Sequence, residues 1–184
     1  MQLVLDIQST DDSIMVKSAK AKLYLAWLLV LLSLISEAIA GQYHVIRVID
    51  GDTINVDHLN KKFTIRLVGI DSPELGTGKY NPSQPFANAA KRHLIGLIDN
   101  RIVNIKPYGQ DRYGRMLAEV FVGSKNVNIE LIKAGLAEVY RGDYPAAGLD
   151  LNPYWQAEEK ARKDRTGMWS QSNYMSPRDW RKSH

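Results

Sequence analysis

Short runs of alternating apolar and polar residues follow one another along the chain. Three come in close succession, at residues 43–49, 53–56 and 63–70, and turn-forming residues separate them. Two more runs, at 102–105 and 116–122, lie on either side of a polar loop. Because an alternation of period two buries one face of a strand, this pattern predicts five short strands, the first three of them forming a meander.

Three other segments carry apolar residues at helical spacing. The first covers residues 85–98, and Asn100 is positioned to end it. The second covers 127–135, and the third opens with Asn152 as its N-cap and Pro153 as its first residue. This spacing and these end signals predict three helices, one between the third and fourth strands and two after the fifth.

The order of elements indicates the fold. Three strands, a helix, two strands and then helices are what a small Greek-key barrel of the oligonucleotide-binding (OB) type would show. We therefore predict an α+β fold, a five-stranded OB-type barrel with about three α-helices. An open antiparallel sheet with helices on one face stays as the alternative, because the pairing of strands cannot be read from their number.

The first 40 residues differ in character from the rest. Three lysines precede an apolar run at 23–35, and the small residues Ala38 and Ala40 suit a signal peptidase. We expect a signal peptide over 1–40, with Met15 as an alternative start and cleavage after Ala40. The mature protein would then be secreted or periplasmic. The alternative is an uncleaved anchor with an extracytoplasmic domain, because this segment could span a thin bilayer.

Length and composition limit the classes of protein and site. The 184 residues are enough for one domain, which we place at 41–170, followed by a basic tail at 171–184 that we expect to be solvated. The chain has no cysteine, so it has neither a disulfide framework nor a thiolate zinc site. Its four histidines lack metal-ligand spacing. The net charge of +4 is weakly in favour of a polyanionic partner such as nucleic acid.

Two acidic clusters follow each other in the predicted meander. Asp50 and Asp52 flank a glycine, a pattern that a hairpin turn alone would explain. Asp71 and Glu74, however, leave the end of a neighbouring strand, and the meander could bring Asp71 back toward Asp52. Hard cations such as calcium bind carboxylates, backbone carbonyls and water. The clusters therefore predict a site for a hard cation, beside a carboxylate that could draw a proton from water.

Two arginines accompany these acids. Arg66 lies in the middle of the third predicted strand, and Arg115 follows a tight turn at Tyr113-Gly114. A guanidinium group offers paired N–H donors that match a phosphate, and a lysine cannot reproduce this pair. Two such groups aimed at one phosphate could stabilise the charge of a five-coordinate transition state. Acids and arginines together predict the cleavage of phosphodiesters with a hard metal ion.

These motifs, in this order, resemble the staphylococcal-nuclease-like, or thermonuclease, family. The resemblance covers about residues 43–170 and rests on Asp50-Gly51-Asp52-Thr53, Arg66, Asp71-Ser72-Pro73-Glu74, Tyr113-Gly114-Arg115, Gly135-Leu136-Ala137 and Trp169-Ser170. It implies the same barrel with helices. It also implies a calcium-dependent endonuclease that acts on DNA and RNA with little sequence preference.

The resemblance implies a calcium ion held by three residues. The carboxylates of Asp52 and Asp71 and the backbone carbonyl of Ser72 would be its ligands, and Asp50 would support them from behind. Water and substrate phosphate would complete the coordination.

It also implies the catalytic groups. Glu74 would be the general base, or would orient the attacking water, while Arg66 and Arg115 would bind the phosphate and neutralise developing charge. Arg112 and Tyr113 would contact a terminal phosphate. Attack would release the 5′ oxygen and leave 3′-phosphorylated ends.

The rival function is a non-catalytic OB-fold module that binds single-stranded nucleic acid. Carboxylates beside a phosphate groove would repel such a ligand, so their presence favours the nuclease. We expect DNA and RNA as substrates, no stable protein partner and a monomeric protein. Contact with a membrane is expected only if the N-terminal segment stays uncleaved.

Overall fold

The structure, a computed structural model, describes residues 20, 22–25, 27–28, 41–142 and 146–184. Residues 1–40 and 41–184 form two separate compact units. The described residues of the first unit are helical, whereas most of the predicted signal peptide, with its cleavage point after Ala40, lies outside the described residues. Among the helices of the described residues, none is long and apolar enough to cross a membrane.

The second unit contains strands and helices in the predicted order, together with several short elements. Its strands are β1 (Gln42–Val48), β2 (Thr53–His58), β3 (Lys61–Leu67), β4 (Ile70–Asp71), β5 (Ile102–Gln110), β6 (Met116–Val122), β7 (Lys125–Asn126) and β8 (Glu138–Val139). Its helices are α1 (Ala87–Ile98), α2 (Val127–Lys133), α3 (Asn152–Lys163) and α4 (Pro177–Ser183), with a 3₁₀-helix at Gly167–Ser170.

Five strands close into a barrel. The sheet has the order β3-β2-β1-β5-β6-β7, and β3 pairs in addition with β6. That pairing is parallel and sets Arg66 opposite Leu117, whereas the other pairs in the sheet are antiparallel. The closed mixed barrel with its helices confirms the α+β, OB-type prediction. The open antiparallel sheet is wrong, because β3 and β6 join its two edges.

The differences from the predicted elements are local. Strand β5 extends to Gln110, beyond the alternation that ends at 105. Helix α3 already includes Asn152, and Leu151 occupies the N-cap position, so the predicted cap is wrong by one residue. Strands β4 and β8, of two residues each, pair with one another outside the barrel sheet. They were not predicted, since two residues show no alternation.

The core lies inside the barrel and under α1 and α2, and a buried asparagine crosses it. Asn128, fully buried, accepts a hydrogen bond from the Val120 amide at 3.1 Å. Its side-chain amide donates to the carbonyls of Val68 at 2.7 Å and Ala118 at 3.2 Å. These bonds join α2 to both sides of the β3–β6 pairing, which we call the seam. The seam is thus held by side-chain as well as backbone hydrogen bonds.

Candidate active site

The seam brings the two predicted phosphate-binding arginines onto neighbouring strands. Arg66 pairs with Leu117 across it, and Arg115 immediately precedes β6. Both line a pocket of about 760 Å³, which we call the candidate pocket. The other residues predicted for the site that line the candidate pocket are Asp50, Asp52, Ser72, Glu74, Arg112 and Tyr113. Asp71 does not line the pocket, but its carboxylate bonds to Arg66, which does.

Arg66 links the two predicted metal-binding aspartates. Its Nη2 donates to Asp71 Oδ1 at 2.8 Å, and its Nη1 forms an ion pair with the Asp52 carboxylate. The side chains are only 14%, 3% and 7% exposed for Arg66, Asp71 and Asp52. Buried carboxylates need a compensating charge, and one guanidinium serves both. The meander therefore does bring Asp71 back to Asp52.

Asp52 also ties the two acidic clusters together through the backbone. Its Oδ2 accepts a hydrogen bond from the Ser72 amide at 2.8 Å, and its Oδ1 accepts one from the Thr53 hydroxyl at 3.2 Å. Gly51 makes this approach feasible, because a Cβ there would lie 2.6 Å from Ser72 Oγ and 2.8 Å from Ala90 Cβ. The glycine is therefore required by packing against Ser72 and α1.

Asp50 shapes the turn behind these residues. Its Oδ1 accepts a hydrogen bond from the Asp52 amide at 3.0 Å. Burial raises the pKa of Asp50 above 3.8, although the charges of Arg66 and Arg115 and hydrogen bonds with Thr53 act in the opposite direction. Both arginines therefore lie close enough to act electrostatically on one carboxylate.

Asp111 organises the loop that carries Arg115. Its Oδ1 accepts from the amides of Tyr113 at 2.9 Å and Arg115 at 3.0 Å, and its Oδ2 accepts from Arg115 Nε at 2.7 Å. Burial raises the pKa of Asp111, but the hydrogen bonds outweigh it and hold the pKa below 3.8. Sequence reasoning assigned Asp111 no role, although its position four residues before Arg115 was a signal.

Tyr113 stands at the exposed edge of the candidate pocket. Its side chain is 69% exposed and lies beneath two guanidinium groups, with ring-centroid distances of 4.8 Å to Arg112 and 5.6 Å to Arg115. The Arg112 Nη2 also donates to the Tyr113 hydroxyl at 2.7 Å. Cations over an aromatic face are held in place while their N–H edges stay available to an anion.

Glu74 is positioned by a glutamine that sequence reasoning missed. The side chain of the buried Gln84 accepts a hydrogen bond from the Glu74 backbone amide through Oε1 at 3.0 Å. The backbone amide of Gln84 donates to the Glu74 carbonyl at 2.8 Å. Its Nε2 donates to the Met175 carbonyl at 2.8 Å. Gln84 therefore joins the Glu74 segment to the chain that leads into α4.

A third arginine, Arg181 of α4, enters the site. Its Nη2 lies 2.8 Å from Asp71 Oδ2, its Nη1 lies 3.1 Å from Asp71 Oδ1, and Nη1 also pairs with the Glu74 carboxylate. Burial acts to lower the pKa of Arg181, but Asp71 and Glu74 raise it. The prediction of a solvated tail at 171–184 needs correction here, because these two carboxylates hold the helix against the site.

The residue types suit a hard cation. Asp52 and Asp71 supply buried carboxylate oxygens, and the Ser72 amide bonded to Asp52 places the Ser72 backbone beside them. Oxygen donors of this kind are what calcium takes. Guanidinium groups of Arg66 and Arg181 supply positive charge beside these acids. In the described ranges, no group of three or more His, Cys, Asp or Glu side chains is arranged to hold a metal ion.

The arrangement can bind a phosphate and supply a proton acceptor beside it. Arg66 and Arg115 line one pocket with Glu74, whose side chain is 36% exposed and so reachable by water. Guanidinium groups fixed before the reaction stabilise charge that develops on phosphate. Of the predicted residues, Arg112 and Tyr113 lie at the pocket edge, while Asp52, Asp71 and Ser72 lie at its base.

Comparison with known proteins identifies the family of this chain. A family model described as staphylococcal nuclease homologue matches residues 64–171. An uncharacterised endonuclease of Haemophilus influenzae is 34% identical over 139 residues, which are 75% of this chain and 71% of that protein. The staphylococcal-like nuclease CAN1 of Arabidopsis thaliana is 35% identical over 129 residues, which are 70% of this chain and 36% of that protein.

An uncharacterised 38.1 kDa protein of Capnoides sempervirens is 37% identical over 138 residues, 74% of this chain and 37% of that protein. The chain thus spans little more than a third of each plant relative, and about seven-tenths of the Haemophilus protein. The family model covers more than half of this chain, within the second unit. The chain therefore belongs to the staphylococcal nuclease homologue family.

Proposed function

We propose that this protein is a calcium-dependent endonuclease that hydrolyses phosphodiester bonds of DNA and RNA with little sequence preference. The observation that carries the proposal is the candidate pocket, where Arg66 and Arg115 lie beside the carboxylate of Glu74 above two buried aspartates. Membership of a nuclease family and relatives named as nucleases support the same reaction class.

Each residue has a distinct part in this proposal. Arg66 and Arg115 bind the scissile phosphate and offset the charge that grows on its oxygens. Glu74 orients a water molecule and accepts its proton while the water oxygen bonds to phosphorus. The bond from phosphorus to the 5′ oxygen breaks and that oxygen takes up a proton from water, which leaves a 3′-phosphate and a 5′-hydroxyl. Arg112 and Tyr113 hold a terminal phosphate.

Calcium would be held by the Asp52 and Asp71 carboxylates and the Ser72 carbonyl. When bound, it would polarise a phosphoryl oxygen as a Lewis acid. Asp50 supports the site from behind, through its hydrogen bond with the Asp52 amide. Because phosphate contacts of the kind proposed for Arg66 and Arg115 carry no sequence information, the proposed substrate class includes both DNA and RNA.

Export is a separate part of the proposal. Cleavage after Ala40 would release a protein that begins at Gly41 into the periplasm or the medium. N-terminal sequencing of the protein from culture fractions tests this. An intact N-terminus in the membrane fraction would instead support the anchored form.

The decisive assay measures cleavage of single-stranded DNA and RNA by the purified chain in calcium, with and without a chelator. Cleavage should require calcium, stop on chelation and return when calcium is restored. Glu74→Gln should lower the rate by about 10² to 10⁴, the usual contribution of a general base. Glu159→Gln, an exposed acid on α3, is the matched control and should stay within twofold.

Three results would contradict the proposal. Cleavage that survives chelation would exclude the requirement for a metal ion. Full activity of Glu74→Gln would exclude Glu74 as the general base. Tight binding of single strands without any cleavage would favour the OB-fold binding module. Analysis of the product ends gives a further check, since 5′-phosphate products would reverse the assigned leaving group.

A further inference from the structure

Helix α4 is fastened to the candidate pocket at two points that are independent of each other. Ser176 caps it by accepting a hydrogen bond from the Asp179 amide at 3.1 Å, so the helix has a defined start. Buried Gln84 holds the preceding Met175 carbonyl at 2.8 Å and the Glu74 amide at 3.0 Å. The position of α4 is therefore coupled to the segment that carries Glu74.

The second point is Arg181 itself, which bonds to both oxygens of an aspartate. Asp71 Oδ2 accepts from Arg181 Nη2 at 2.8 Å. Asp71 Oδ1 accepts from Arg181 Nη1 at 3.1 Å and from Arg66 Nη2 at 2.8 Å. Both oxygens of Asp71 thus already face cationic donors. Paired guanidinium–carboxylate bonds of this kind are among the stronger hydrogen bonds in proteins.

Arg181 also engages the proposed base. Its Nη1 forms an ion pair with Glu74, so a single guanidinium holds two of the acidic groups that the proposed function needs. A carboxylate held in this way has fewer oxygen lone pairs free to bind a cation or to accept a proton from water. Arg181 is 39% exposed, whereas Asp71 is 3% exposed, so the arginine is the partner with room to leave.

We infer that Arg181 is an intramolecular competitor of the metal ion: it neutralises Asp71 and Glu74 in the resting protein, and a divalent cation binds as Arg181 leaves. This inference rests on the proposed function, since it assigns a regulator to the same site. Helix α4 then acts as an autoinhibitory strap. Occupation by the strap lowers the apparent affinity for calcium and keeps Glu74 from acting as a base until the ion arrives.

The competition has a simple quantitative form. If the strapped state is favoured about tenfold, only about a tenth of the molecules are competent, and the apparent calcium affinity falls about tenfold. Removing the guanidinium group should raise the apparent calcium affinity by the same factor. Because Gln84 still holds Met175, α4 itself should remain attached to the protein in the variant.

The test is calcium titration by isothermal calorimetry on the full chain and on Arg181→Met. Arg178→Met is the matched control, since Arg178 lies on the same helix and lines the same pocket but donates to the Arg141 carbonyl at 3.4 Å. Arg181→Met should bind calcium about tenfold more tightly. The control should change affinity by less than twofold. An equal gain in both variants would be a general charge effect and would overturn the inference.

A second readout follows the strap in the unaltered protein. Hydrogen exchange, measured by mass spectrometry, should become faster over residues 176–183 when calcium is added, while α1 stays unchanged. Unchanged exchange over 176–183 at saturating calcium would overturn the inference, because the ion would then bind without releasing the Arg181 contacts that hold α4 at its second point. Exchange and affinity do not depend on turnover.

The possible outcomes distinguish failure of this inference from failure of the proposed function. Equal calcium affinity of the full chain and Arg181→Met would overturn the competition and leave the calcium site standing. Calcium binding by neither protein would overturn both. Loss of calcium binding in Asp71→Asn would show that the titrated ion is at this site, whereas unchanged binding there would place the ion elsewhere and overturn the competition.

Discussion

The replacement of Asn128 by alanine tests how the seam is held. The side chain is fully buried and makes three hydrogen bonds to the backbone on both sides of the seam. Alanine would leave the Val120 amide and the Val68 carbonyl without these partners. The Ala118 carbonyl would keep its bond from the Val68 amide at 2.9 Å. The variant therefore loses compensation for two buried polar groups.

The expected loss of stability follows from the two buried groups that lose their hydrogen-bond partners. An unsatisfied buried donor or acceptor costs about 1–3 kcal/mol, so two of them predict a loss of about 2–6 kcal/mol in the free energy of unfolding. Urea denaturation followed by circular dichroism measures it. With an m-value of about 2 kcal/mol/M, the midpoint should fall by about 1–3 M while the slope stays the same.

Asn88→Ala supplies the control, because Asn88 is exposed on α1. Its free energy of unfolding should change by less than about 0.5 kcal/mol, as is usual for surface substitutions. A loss below about 1 kcal/mol in Asn128→Ala, or one equal to the control, would refute the argument that this side chain holds the seam.

Three further predictions concern the site. Arg115→Lys keeps the charge but loses the planar fork held by Asp111, so kcat on single-stranded DNA should fall about 10²-fold, and a loss below threefold would speak against a paired phosphate contact. Gly51→Ala would bring a Cβ to 2.6 Å from Ser72 Oγ and 2.8 Å from Ala90 Cβ, which predicts a loss of stability in urea of about 1–3 kcal/mol. Gly96→Ala, where nothing lies within 4 Å, should be neutral or stabilising, and similar losses in both would contradict the packing argument. Finally, hydrogen bonds hold the pKa of Asp111 below 3.8, so Asp111 stabilises the folded protein above that pH, and the contribution is lost as the pH falls through its folded pKa. Asp111→Asn should therefore be less stable than the unaltered chain at pH 7 and approach it below about pH 4 in urea titrations, whereas a gap independent of pH would exclude this linkage.

Local patterns were sufficient for most of the barrel. The alternation in β1, β2, β3 and β6 predicts strands close to those observed, because each buries one face in the core. The meander also predicted the meeting of Asp52 with Asp71, since adjacent strands return the chain to the same end. Closure of the barrel could not be read in this way, because the contact between β3 and β6 joins distant parts of the chain.

The missed parts of the site are also long-range contacts. Nothing near Arg181 in sequence indicates Asp71 or Glu74 as its partners. The helix that carries it did have a signal, since Ser176 followed by Pro177 and, three residues after the serine, by Asp179 is a helix start. Gln84 and Asn128 were equally hidden, because a polar residue that is buried by its tertiary partners has no periodicity of its own.

The parallel contact between β3 and β6 has a consequence for folding kinetics. It joins positions about fifty residues apart, so the chain must overcome the entropy of closing a long loop before the contact forms. Arg66 and Arg115 become neighbours only at that moment. We therefore expect phosphate affinity to return in refolding together with closure of the barrel, and not in early collapse. A newly made or partly unfolded chain would thus lack the paired guanidinium groups of the candidate pocket until the contact between β3 and β6 has formed.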